Sequence, residues 1–133
     1  MMEDIQPRVF ESLLKEFDAS PEQNQESRWD LLMAAHITGQ QELSAHWEIH
    51  IKMLRFAIQT RDYAEAAGQL FRLCLVPFGH LTGRLPIGNS GRATVNAFRP
   101  MPINEKTRLL ISNARARILS EKKQDRTQPT TPS

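Results

Sequence analysis

A chain of 133 residues, 40% hydrophobic and with a formal net charge of +2, fits one small soluble domain that buries its core without staples. Its single cysteine, Cys74, excludes an intramolecular disulfide and every Cys-based zinc pattern, and agrees with a reducing, cytoplasmic setting. The acidic start MMEDIQPRVFESLL does not read as a signal peptide, and no apolar run approaches bilayer length, so no membrane insertion is expected.

The charge is unevenly spread. Residues 1–79 hold 7 Lys/Arg against 12 Asp/Glu, and residues 80–133 hold 10 against 3. The basic residues are dispersed and not interleaved with aromatics, so attraction between the two halves is favoured over a nucleic-acid surface.

In chain order, Ile5, Val9, Leu13 and Phe17 recur every fourth residue, with Phe10 and Leu14 beside them, and predict a helix over about 3–18. Ser20 is the expected cap of a second helix that has Pro21 at its first position and ends near Thr38 before Gly39. Trp29, Leu32, Met33 and His36 mark its inner face. Ser44 is the expected cap of a third helix running to about Gln59, with His46, Trp47, His50, Met53, Leu54, Ala57 and Ile58 inward. Asp62 and Glu65 have the spacing of a capping box for a fourth helix over about 63–76, with Leu70, Phe71, Leu73 and Cys74 inward, ended by Pro77 and Gly79.

A Gly/Pro-rich segment, 77–103, then excludes a long helix but keeps Leu81, Leu85, Ile87, Val95, Phe98, Met101 and Ile103 for docking on a core. Asn104 caps a last predicted helix over about 105–120, with Leu109, Leu110, Ala114, Ile118 and Leu119 apolar. The polar, proline-bearing residues 121–133 are expected to form a disordered tail. Short links between long helices demand antiparallel neighbours. The expected fold is therefore all-α: a single domain over 1–120, an antiparallel helical bundle with tetratricopeptide-like helix-turn-helix packing and an ordered Gly/Pro-rich loop segment.

Three of the four histidines fall in AHITGQQELSAHWEIH, residues 35–50. His46 and His50 stand one helical turn apart on one face, the spacing used by helical zinc sites. His36 and Gln40 repeat that step before the turn, so His36 can face the other two across a hairpin. Glu48 lies about 200° round the helix from His46, which removes the HExxH metalloprotease reading. The bland alternative is a set of neutral, hydrogen-bonded packing histidines. Gln69 is a candidate supporting hydrogen-bond partner for a histidine. GRLPIGNSGR offers a weak anion-binding loop at Gly88, Asn89, Ser90, Gly91 and Arg92. The opposing expectation is a tight turn with positive φ at Gly88 or Gly91 and Asn89 bonding its own backbone. Gly68, inside the fourth helix, suggests close approach by another helix or by this loop. Cys74 is expected in the core.

The segments AHITGQ, HWEIHIKML, RDYAEAAGQLFRL, GRLPIGNSGRATV and FRPMPI resemble the bacterial family called domain of unknown function 3703, over roughly residues 30–104. The resemblance implies a small cytoplasmic bacterial protein associated with heavy-metal resistance and efflux systems. It supplies no activity. His36, His46 and His50 lie within the matching motifs; His80 and Cys74 do not. The resulting expectation is a non-enzymatic accessory protein that binds zinc, copper or nickel through His36, His46 and His50, with Gln40 or Gln69 in support and a metal-efflux or regulatory protein as partner. A helical interaction adaptor with structural histidines is the alternative, and a small enzyme using histidine acid–base chemistry is a third reading.

Overall fold

The structure is a computed structural model that describes residues 5–83, 89–93 and 102–128. Among the described residues, five helices form an all-α bundle: α1 (Gln6–Ala19), α2 (Gln25–Gly39), α3 (Leu43–Gln59), α4 (Tyr63–Thr82) and α5 (Glu105–Thr127). No strand occurs among the described residues. The chain start, Leu85, Ile87, Val95, Phe98, Met101 and the last five residues lie outside them.

Helix α2 is the central element. It packs on α1, α3 and α5, and α3 packs on α4. Its sequence explains that place: Trp29, Leu31, Leu32, Ala34, Ala35, His36 and Gly39 are all buried, more than a one-sided surface helix would hide. Helix α1 lays down the expected stripe of Val9, Phe10, Leu13, Leu14 and Phe17. Gly39 lets α1 come close, because a Cβ there would sit 2.8 Å from the Phe10 ring. Phe56 of α3 fills the centre, edge-on to Phe17 at 5.5 Å and to Trp29 at 5.0 Å between ring centroids. Burying side chains of this size stabilises the fold by about 1.5–3 kcal/mol each.

Several boundaries and faces differ from the sequence expectation. Ser20 does not cap α2; its hydroxyl donates to the Phe17 carbonyl at 2.6 Å and so finishes α1. Asn24 caps α2 by accepting from the Ser27 N–H. Ser44 lies inside α3 and donates to the Glu42 carboxylate, while Glu42 holds the N-cap position. Trp47 and Ile58 are exposed, not buried. After α3, Arg61 takes a positive φ of 60° where glycine is usual. Its N–H reaches the Ile58 carbonyl and that of Asp62 reaches Ala57, a Schellman closure that needs no glycine in the sequence.

The largest correction is in α4. It does not stop at Pro77 but runs to Thr82, where Gly83 closes it with a φ of 71°. Proline removes one helical hydrogen bond, yet its fixed φ is itself compatible with a helix. The buried face is Glu65, Ala66, Gln69, Arg72, Leu73, Val76 and Gly79. Leu70, Phe71 and Cys74, expected inward, point outward. Glu65 and Gln69 won because they form one hydrogen-bonded network with α3 and the 89–93 loop. Helix α5 also outlasts its expected end, so the segment from 121 to Thr127 is helical. Its inner side is Thr107, Ala114 and Ile118, with Leu110 and Ile111 partly buried; Leu109 and Leu119 are exposed.

The acidic and basic halves meet in ion pairs. Arg117 pairs with Glu16 at 3.0 Å, Arg92 with Glu65 at 3.4 Å and Lys106 with Glu26 at 3.7 Å, each joining the basic half to the acidic half. The exposed pairs, Arg117–Glu16 and Lys106–Glu26, contribute at most about 1 kcal/mol each, whereas Glu65 is buried.

Gly68 faces the returning loop: a Cβ there would lie 2.1 Å from the Ala93 Cβ. Gly68→Ala, which in an open helix would stabilise by about 1 kcal/mol, is expected here to destabilise by about 1–3 kcal/mol. In urea unfolding the double change Gly68→Ala with Ala93→Gly should recover most of that loss; additive losses would refute the contact.

Candidate metal centre

The four histidines form one continuous group. His36 comes from the last turn of α2, His46 and His50 from successive turns of α3, and His80 from the last turn of α4. The short α2–α3 link brings His36 across the hairpin. His36 Nε2 lies 3.2 Å from His46 Nε2, and His50 Nε2 lies 3.2 Å from the same atom. One ligand nitrogen from each of the three falls within 4.8 Å of the others, and all three residues are buried. A tetrahedral ion held at 2.0–2.1 Å by three nitrogens separates them by about 3.3–3.4 Å. Two of the three separations are therefore already near coordination spacing.

The opposite ring nitrogens are held from behind. His36 Nδ1 donates to the Asn89 backbone carbonyl at 2.7 Å. His50 Nδ1 donates to Gln69 Oε1 at 2.7 Å. The Gln69 amide cannot be turned round, because its Nε2 donates to two pure acceptors, the Gly91 carbonyl at 3.0 Å and Glu65 Oε1 at 3.1 Å. Both rings thus carry their proton on Nδ1 and present the Nε2 lone pair inward. His46 Nδ1 faces His80 Nε2 at 3.0 Å. Such back-side partners fix ring orientation and raise ligand basicity in metal sites.

All three rings are neutral at neutral pH. Burial pushes His36 well below its ordinary value, with the neighbouring His50 and His46 adding to the shift against the Asn89 hydrogen bond. Burial lowers His46 to about 3, helped by His50 and His80. Burial lowers His50 to about 4, with Gln69 opposing and Arg72 assisting. A neutral imidazole is the form that ligates.

The loop at 89–93 is a lid on this cluster. Gly91 has a φ of 84°, and a Cβ on it would stand 2.6 Å from the His36 ring. Asn89 Oδ1 accepts the Gly91 N–H at 2.9 Å, the self-bonded turn expected from the sequence. Glu65, only 2% exposed, accepts the Ala93 N–H through both oxygens at 3.0 and 3.2 Å and the Arg92 Nε–H at 3.4 Å. The Arg92 guanidinium lies 4.1 Å over the Trp29 ring.

The donors that the anion-binding reading invoked in residues 89–93 already have acceptors. Gly88 lies outside the described residues. The N–H groups of Gly91, Arg92 and Ala93 turn to Asn89, Ser90 and Glu65, and Arg92 is committed to Glu65 and Trp29. An anion would have to displace acceptors already in place.

The structure brings His36, His46, His50 and Gln69 together as read from the sequence. Gln40 is buried at the C-cap of α2, but the six ring nitrogens of the trio are engaged by Asn89, Gln69, His80 and one another. Glu48 is exposed, as the helical angle demanded, and so is Cys74, against its expected place in the core. His80 was missed because Pro77 reads as a helix stop. Glu65 was noticed only as a capping residue. Asp62 does cap α4 by accepting the Glu65 N–H, but the Glu65 side chain goes to the loop instead of back to Asp62.

These features define an all-α helical protein with a buried histidine cluster closed by a polar loop. A family model described as protein of unknown function (DUF3703) matches residues 4–111, and the chain belongs to that family. No curated protein and no solved structure matches the chain. Among the described residues, no helix is long and apolar enough to cross a membrane.

Proposed function

We propose that the protein binds a transition-metal ion through His36, His46 and His50 and serves as an accessory protein in metal handling, without catalysing a reaction of its own. The observation that carries this reading is the convergence of three Nε2 atoms, two of them stripped of protons by backbone and amide acceptors on Nδ1. Three imidazoles with an open fourth position suit zinc, copper or nickel and not magnesium or calcium, which prefer oxygen. A metal-efflux or regulatory protein is the proposed partner.

Isothermal titration with Zn(II), Cu(I) and Ni(II) tests it. At least one ion is expected to bind at one per chain with Kd below about 10 µM, and His46→Ala or His50→Ala should weaken it at least tenfold. Binding weaker than that, or unchanged in both variants, would sink the proposal.

A second reading draws on the outer face of α4. Leu70, Phe71, Phe78 and Leu81 are exposed, Phe71 at 62% and Leu81 at 85%. Large apolar side chains recurring along one helix face suit an interaction adaptor, in which the histidines are structural. Pull-down against metal-efflux components with and without chelator separates the two: the adaptor binds regardless of chelator.

A further inference from the structure

His80 stands outside the trio but touches its central member. Two nitrogen lone pairs do not rest 3.2 Å apart without either a proton or a cation between them. His36 and His50 each have their proton committed to Nδ1 by an acceptor that cannot donate, the Asn89 carbonyl and Gln69 Oε1. With no ion bound, the proton between the three Nε2 atoms must therefore belong to His46. It is shared toward His36 Nε2 and His50 Nε2, both at 3.2 Å. His46 Nδ1 is then an acceptor, and the group 3.0 Å from it, His80 Nε2, must donate. With an ion bound, the requirement reverses. His46 Nε2 must give up its proton to ligate, the ring carries it on Nδ1, and His80 Nε2 must accept.

Resting on the metal-binding reading above, we propose that His80 is the positioning residue of the centre. It donates to His46 Nδ1 when no ion is held and accepts from it when one is, so His46 changes tautomer without leaving a buried ring nitrogen unpaired. An imidazole suits this task because each of its nitrogens serves as donor or acceptor according to the tautomer. The balance closes within the pair. The His80 Nε2 proton becomes the His46 Nδ1 proton, the His46 Nε2 proton leaves to water, and water returns one to His80 Nδ1. His80 is suited to that exchange, being only partly buried where the other three are buried. The continuation of α4 past Pro77 is what delivers it.

Long-range ¹H–¹⁵N correlation of the full chain reads the tautomers directly. Without metal, His36 and His50 are expected as Nδ1–H and His46 as Nε2–H; on adding Zn(II), His46 should become Nδ1–H. Finding His46 as Nδ1–H before zinc is added would overturn the proposal, and this measurement needs no variant. His80→Phe should weaken Zn(II) binding about 10–100-fold with helical content unchanged by circular dichroism. His80→Gln, which can also donate and accept, should restore affinity to within a fewfold of the original. If the unaltered chain binds zinc and His80→Phe binds it equally well, the proposal fails while the metal reading stands. If the unaltered chain binds no ion, the metal reading fails and takes this one with it.

Discussion

Glu65→Ala should destabilise the fold by about 3–5 kcal/mol, read as a shift in the urea midpoint at pH 7.5. The carboxylate is buried and gathers the Ala93 N–H, the Gln69 amide and the Arg92 guanidinium. Arg72, also buried, feels its charge. Truncation takes the shared acceptor from the Ala93 N–H, the Gln69 amide and the Arg92 guanidinium at once, each loss costly alone. The effect should reach the histidines too, because Gln69 would lose one of the two acceptors that aim its Oε1 at His50. Zn(II) affinity should therefore fall as well. Glu65→Gln keeps the volume and an acceptor for Ala93, and should cost clearly less. A loss below about 1 kcal/mol for the alanine variant would show that water replaces the carboxylate.

Acidification should unfold the protein through the same cluster. The ordinary histidine value, near 6.5, applies in the unfolded chain, whereas His46 and His50 are lowered to about 3 and about 4 in the fold and His36 is also lowered. Between those values the unfolded chain binds protons that the folded chain refuses, so stability rises with pH there. The contribution is complete well above pH 6.5 and is lost as pH falls toward the folded values. Each histidine held neutral removes about 1.4 kcal/mol per pH unit within that window. Urea midpoints at pH 7.5, 6.5, 5.5 and 5.0 should fall modestly between the first two, by about 1 kcal/mol in stability over the three histidines, and then drop steeply. His50→Gln should flatten the slope. A level midpoint down to pH 5 would mean that the trio accepts protons in the folded state.

The α1 stripe and the three-histidine convergence were legible because each rests on a local rule: four-residue periodicity, and a hairpin with a short link. The faces of α4 were not. Leu70 and Phe71 look like core by composition, but the inner face is chosen by polar residues, of which Glu65 and Gln69 reach partners 19 to 28 residues away on α3 and in the 89–93 loop. No periodicity announces such a network. Pro77 misled for a related reason: a helix-stop rule weighs one lost hydrogen bond, while the His46–His80 contact on the far side of the proline is invisible to it. Ser20 and Ser44 had acceptors nearer than the N–H groups they were expected to cap. Gly68 was legible as a place of close approach, with this loop among the candidates, and Gly91 as a turn with positive φ; the His36 ring against Gly91 was not.

The hydrogen bond between His36 and the Asn89 carbonyl joins residues 53 apart in the chain. That separation has a kinetic meaning. The α2–α3 hairpin closes a short link and can form early, presenting His36, His46 and His50 to one another. The lid must close a far longer loop, at a greater cost in chain entropy, before its contacts repay it. Until it arrives, the His36 and His50 rings lack the partners that choose their tautomers, Asn89 directly and Gly91 through Gln69. The ordered lone pairs of His36 and His50 are thus a property of the finished chain alone, and an ion that selects for them would distinguish mature protein from a helical intermediate.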